Sequence, residues 1–129
     1  MKKLELGSCV YYVGNNGKEH PYYVITKPLG DPSKVVAVNI TNYVDWKDQT
    51  VILDSGHAAV TKKSLVNYAE ALLWTVEKIE AEINDGEHRT MLHHQEPVCS
   101  PEFLKILQDG LLKSKATPIK FKDYCRQVF

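Results

Sequence analysis

Two histidines, a threonine and two lysines stand where short apolar runs of this sequence begin or end. His20 precedes the run Tyr22–Thr26, Thr41 closes the run Val35–Thr41, and His57 follows the run Val51–Leu53. Lys18 lies two residues before His20, and Lys62 lies five residues after His57. A histidine with a pKa of about 6.5 takes up or releases a proton near neutral pH. A pair of them, one neutral and one protonated, supplies the base and the acid of a two-proton reaction. The Thr41 hydroxyl can hold a substrate oxygen, and either lysine can neutralise an anion. Tyr43 and Trp46, in the loop after Thr41, can stack on flat rings. Each residue also has a plainer use. His20 precedes a proline and can cap a turn, and His57 in Ser-Gly-His can be an exposed turn residue. Thr41 can satisfy a backbone group at a strand end. Tyr43 and Trp46 can cover a barrel mouth or an interface between subunits. Asp54 suits fixing the turn before Gly56 better than catalysis.

The elements that must position these residues read as strands. The apolar, β-branched runs are bounded by Gly, Pro, Asn and Asp, the pattern of short buried strands. Leu4–Val13 predicts a first strand with a bend at Gly7. Gly14–Glu19 (GNNGKE) is a turn signal that returns the chain through His20–Thr26 as an antiparallel hairpin. Val35–Thr41 (VVAVNIT) is nearly all apolar, as a central strand would be. Val51–Asp54 and Ala58–Thr61 predict two further short strands. Residues at strand ends are solvent-facing yet held by a rigid sheet, so chemistry placed there is well positioned.

Lys63–Asn84 admits two readings. Leu65, Tyr68, Leu72, Val76, Ile79 and Ile83 recur at helical spacing, which predicts one long amphipathic helix ending near Gly86. The alternative is a strand through Val66–Trp74 and a short helix over Val76–Asn84. Asp85–Glu96 reads as a polar loop. Ser100-Pro101-Glu102 is a helix start, with Ser as cap and Pro in the first turn. That helix runs to about Lys113, weakened by Gly110. Ile119–Arg126 is either a short helix or an edge strand. The expected architecture is mainly β: one domain over 1–129, with a five- or six-stranded antiparallel barrel over roughly 4–75 and a helical part over roughly 76–126.

The totals narrow the function classes. The chain has 129 residues, with 16 basic and 16 acidic side chains, so any nucleic-acid site must come from local charge asymmetry. Charge is segregated: Glu70–Glu87 holds six acids against Lys78, and Lys113–Arg126 holds five basic residues against Asp123. No apolar run is long enough to span a membrane, and MKKLELGS lacks the apolar core of a signal peptide. Cys9, Cys99 and Cys125 are odd in number and widely spaced, which fits reduced thiols in a cytoplasmic protein. His88, His93, His94 and Cys99, with Glu96 nearby, are zinc-competent types, but their spacing matches no closed motif. No metal or cofactor is expected.

In sequence order, several short motifs resemble the PemK/Kid/MazF-like toxins of toxin–antitoxin pairs. They are Leu6-Gly7-Ser8 before a Gly/Asn turn, His20-Pro21-Tyr22-Tyr23-Val24-Ile25, VVAVNIT ending at Thr41, Lys63-Ser64-Leu65-Val66, and a C-terminal helix. The resemblance covers roughly residues 4 to 112. It implies a small SH3-like antiparallel barrel of the MazF/CcdB type, a homodimer, and metal-independent cleavage of single-stranded RNA, neutralised by an antitoxin protein. It also favours a strand over Val66–Trp74. Where cleaving members carry arginine before the proline, this chain has His20, and its two arginines, Arg89 and Arg126, lie outside the barrel region. Under this reading His20 and His57 share the proton transfers and Thr41 holds a phosphate oxygen. Lys18 or Lys62 supplies the missing cation, and Tyr43 and Trp46 stack on unpaired bases. The alternative is a barrel module that binds a protein or nucleic acid and cuts nothing.

Overall fold

The computed structural model describes residues 3–13, 17–54, 60, 62–91 and 99–129, the side chains of 89–91 excepted. Six strands form one antiparallel sheet: β1 Cys9–Val13, β2 Glu19–Val24, β3 Lys34–Asn42, β4 Ile52–Leu53, β5 Ser64–Thr75 and β6 Arg89–Met91. Their order across the sheet is β4-β5-β3-β2-β1-β6, and the sheet curls into a half-barrel. The described residues also form three helices: α1 Val76–Asn84, α2 Pro101–Lys113 and α3 Ile119–Val128.

The apolar run of β3 follows from its central place, because both faces of the strand are covered. Val36, Val38 and Ile40 join a core that includes Phe103, Leu107 and Leu111 of α2 and Phe121 and Cys125 of α3. Val35 and Ala37 join a second core on the opposite face, with Val76, Ile79 and Ile83 of α1. β2 alternates in the same way, Tyr23 facing the first core and Tyr22 and Val24 the second.

The segment with two readings resolves as strand then helix. Ser64–Thr75 pairs with β3 from Asn42↔Ser64 to Lys34↔Thr75, with a register irregularity between Ala37 and Asn39. Helical spacing misled there because the irregularity shifts the strand's alternation midway, so Leu65, Tyr68 and Leu72 mimic a helical stripe. Two further boundaries differ from the sequence reading. Leu4–Ser8 forms a turn, not strand, with Gly7 at φ 88° and its N–H donating to the Val24 carbonyl at 2.8 Å. The supposed loop after Gly86 contains β6, an edge strand on β1, so the C-terminal part is not purely helical. Ile119–Val128 is helix. Ser100 caps α2 as read, its hydroxyl accepting from the Phe103 N–H at 3.1 Å.

Gly110 is a packing requirement rather than a weakness of α2. A Cβ there would lie inside 3.0 Å of the Tyr68 hydroxyl and of a Val51 methyl. The close approach lets the buried Tyr68 hydroxyl donate to the Leu107 carbonyl at 2.9 Å, which fastens α2 to β5. Among the described residues no helix is long and apolar enough to cross a membrane.

Candidate functional site: a cleft between parted strands

One proline opens the sheet. In the β2–β3 ladder the Ile25 N–H donates to the Val36 carbonyl at 3.0 Å. Hydrogen-bonded pairs recur every second residue in an antiparallel ladder, at 25/36, then 23/38, then 21/40. Position 21 is proline and has no N–H to give to the Ile40 carbonyl. The ladder ends at Tyr22↔Asn39, after three pairs. Beyond it the two strands keep their other partners. His20 and Pro21 stay opposite Tyr12 and Tyr11 of β1. Ile40, Thr41 and Asn42 stay opposite Val66, Leu65 and Ser64 of β5.

A cavity of about 370 Å³ occupies this parting. Its walls bring together Lys18 just before β2 with Glu19 and His20 at its start, Thr41 and Asn42 from the end of β3, and Lys62 just before β5 with Ser64 at its start. Strand alternation puts His20 on the sheet face of Tyr12, and Pro21 on the face of Tyr11. Because the cavity runs through the gap, residues of both parities line it. Four of the seven residues singled out from sequence therefore share one cleft: Lys18, His20, Thr41 and Lys62. Tyr43 and Trp46 are absent from its lining. The Tyr43 ring sits under the Lys63 ammonium at 3.9 Å, and Trp46 is 80% exposed in the loop beyond. His57 falls outside the described residues.

Sequence reasoning missed Glu19, Asn42 and Ser64 as wall residues, since nothing in their spacing marks them. It also missed a polar contact set behind the cleft. Asn39, fully buried, donates to the Tyr22 hydroxyl at 3.2 Å and to Glu70 at 3.1 Å. Asn39 is the one polar residue inside an apolar central run, and a lone buried amide signals a required partner. Burial pushes the Tyr22 phenol up, against the opposing effect of the Asn39 hydrogen bond. Tyr22 packs edge-on to Tyr12, with ring centroids 5.6 Å apart, and lies 5.5 Å from Trp74. This aromatic layer stiffens the strands that carry His20.

The cysteines and His88 lie apart from the cleft lining. Burial pushes the Cys9 thiol up to about 12 and those of Cys99 and Cys125 to about 11, so none is poised as a thiolate. His88 contacts Glu82 at 2.8 Å and stacks at 4.9 Å on Tyr12. Its suspected co-ligands His93, His94 and Glu96 lie outside the described residues, and among the described ones no group of three or more metal-ligating side chains comes together. Compared with known proteins, the chain matches no family model, no curated protein and no solved structure.

Proposed function

We propose that the cleft binds single-stranded RNA and cleaves it without a metal, as in an SH3-like toxin of the PemK/MazF kind. One observation carries the reading: two lysines, a histidine, a carboxylate and a hydroxyl line a single cavity of about 370 Å³. Lys18 and Lys62 neutralise the scissile phosphate, and Thr41 donates to one of its oxygens. Glu19 takes the 2′-hydroxyl proton as that oxygen attacks phosphorus. His20, protonated, gives its proton to the departing 5′-oxygen. The products are a 2′,3′-cyclic phosphate and a 5′-hydroxyl. His57 is the alternative partner for His20 in these transfers. Tyr43 and Trp46, in the loop that follows the cleft residues Thr41 and Asn42, stack on flanking bases. A homodimer and a neutralising antitoxin belong to the same reading and rest on the sequence resemblance.

The test is cleavage of a mixed-sequence single-stranded RNA in chelator. The wild type should yield 2′,3′-cyclic phosphate ends. His20→Ala should lower the rate by about 10²–10⁴-fold, the usual worth of a general acid or base. Lys18→Ala with Lys62→Ala should weaken RNA binding and flatten its salt dependence by about two phosphate contacts. Binding without cleavage, lost in the lysine variant, would replace the enzyme with the binding module, which the exposed Trp46 also suits. Neither binding nor cleavage would sink both.

A further inference from the structure

The outer edge of β5 is the second unusual feature of the sheet. β4 covers only its start, through Ile52↔Leu65 and Leu53↔Ser64, with one more hydrogen bond from the Val66 N–H to the Val51 carbonyl. From Asn67 to Thr75 the edge has no strand neighbour among the described residues. The direction of its backbone groups follows from the ladder to β3. The Val76 N–H donates to the Ser33 carbonyl at 2.9 Å, so Trp74 and Leu72 bond inward to Val35 and Ala37. Ala71, Leu73 and Thr75 then turn their N–H and C=O groups outward. Edge strands normally carry a lysine, a proline or a bulge that discourages pairing. The register irregularity of β5 ends before Leu72, and the regular stretch beyond it, Leu72-Leu73-Trp74-Thr75, has no charge and no proline.

An apolar groove runs beside that edge. Leu73 is 47% exposed and lines two adjoining hollows with Tyr124 of α3. One, of about 370 Å³, extends past Leu29 to Val128, and the other, of about 230 Å³, reaches Phe121. Together they have room for more than one apolar side chain. Lys34 stands at the rim of the first hollow and Lys120 at that of the second, against the single acid Asp31. Along α3 Lys122 adds a further basic charge, while Arg126 is paired with Asp123 at 3.3 Å.

We infer that Ala71–Thr75 receives an extended segment of a partner protein as an added strand. On its groove face, at every second residue, the segment carries apolar side chains, which fill the Leu73–Tyr124 groove, and beyond them acidic ones, which meet Lys34 and Lys120. Backbone pairing supplies affinity and the groove supplies selectivity. The charge decides between occupants. A second copy pairing edge to edge through a two-fold axis would set the same lysines against each other. An acidic strand meets them with the opposite sign. The inference does not depend on the RNA reading, since the groove and the cleft share no lining residue.

The test uses two fluorescein-labelled heptapeptides with threonine at positions 2, 4 and 6 and valine at 3 and 5, one carrying glutamate at 1 and 7, the other lysine, so that charge and valine share one face. The glutamate peptide should bind about tenfold tighter or better at low salt, given the charge on the rim. It should shift the backbone amide signals of Ala71, Leu73 and Thr75. Leu73→Asp, at a half-exposed position the fold tolerates, should lower that affinity about tenfold or more. Lys120→Glu should narrow or reverse the preference between the peptides. Failure of both peptides to bind, or binding indifferent to Leu73→Asp, would overturn the inference. So would a concentration-dependent dimer that Leu73→Asp dissolves, which would make a second copy the occupant.

Discussion

Gly110 shows how far a residue's meaning depends on what lies across from it. Within a helix, glycine costs about 0.5–1 kcal/mol relative to alanine, so from sequence alone Gly110→Ala is a stabilising change. Against Tyr68 and Val51 it is the reverse, because the new methyl enters occupied space. Overpacking typically costs about 1–3 kcal/mol. Gly110→Ala should therefore lower unfolding free energy by about 1–2 kcal/mol in a urea titration, and stabilisation would contradict the packing described. The same contrast holds for the candidate site. His20, Thr41, Lys18 and Lys62 were legible because their side chains suit proton transfer or anion binding and stand near the ends of apolar runs. Glu19 and Asn42 were not, because a carboxylate or amide beside a turn is unremarkable until the fold closes a cavity around it. Asn39 was legible in principle, as an amide in the middle of an apolar run.

Between elements, the loop after β3 is tied to the end of α2. Asp48 accepts hydrogen bonds from the Ser114 hydroxyl at 2.5 Å and from the Thr50 N–H and hydroxyl at 3.0 and 2.6 Å. Burial alone would raise its carboxyl. The Ser114 bond, then those from Thr50, outweigh burial and hold it below the usual value of 3.8. A carboxyl lowered by folding contributes stability above its unfolded pKa and loses it as pH falls through the folded one. The wild type should accordingly lose stability below about pH 4. Asp48→Asn should be weaker at pH 7 and show a shallower acid limb, measured as Tm against pH. Parallel acid limbs would mean that the carboxylate is not responsible. Element types were mostly readable: the strands of the first half, the Ser100 cap and the amphipathic α1 all left clear patterns. Two segments were harder to read, each for a physical reason. β5 changes register midway, so its apolar residues fall at helical intervals. β6 is held by backbone pairing to β1, and its sequence, Arg-Thr-Met, carries no alternation to detect.

For the whole molecule, helices on both faces of a curled sheet leave function to the places where the sheet is unfinished. One is the long outer margin of β5, and the other is the parting of β2 from β3 at Pro21. The second can be repaired by a single change. Pro21→Val restores the N–H that the Ile40 carbonyl lacks and lets the ladder continue. The added hydrogen bond is worth about 0.5–1.5 kcal/mol. Losing the proline loosens the unfolded chain and takes back about 0.4–1 kcal/mol. The two nearly cancel, so Tm should move by only a few degrees. Yet the amide at position 21 should become slow to exchange, and binding at the cleft should vanish. An unprotected amide, or a cleft that still binds, would show that something other than the proline holds the strands apart. With the amide protected and binding lost, sheet continuity and ligand access are mutually exclusive states of one backbone, chosen by a single pyrrolidine ring at almost no thermodynamic difference. A chain poised so evenly could lose its function by one substitution while every measure of folding reported it intact.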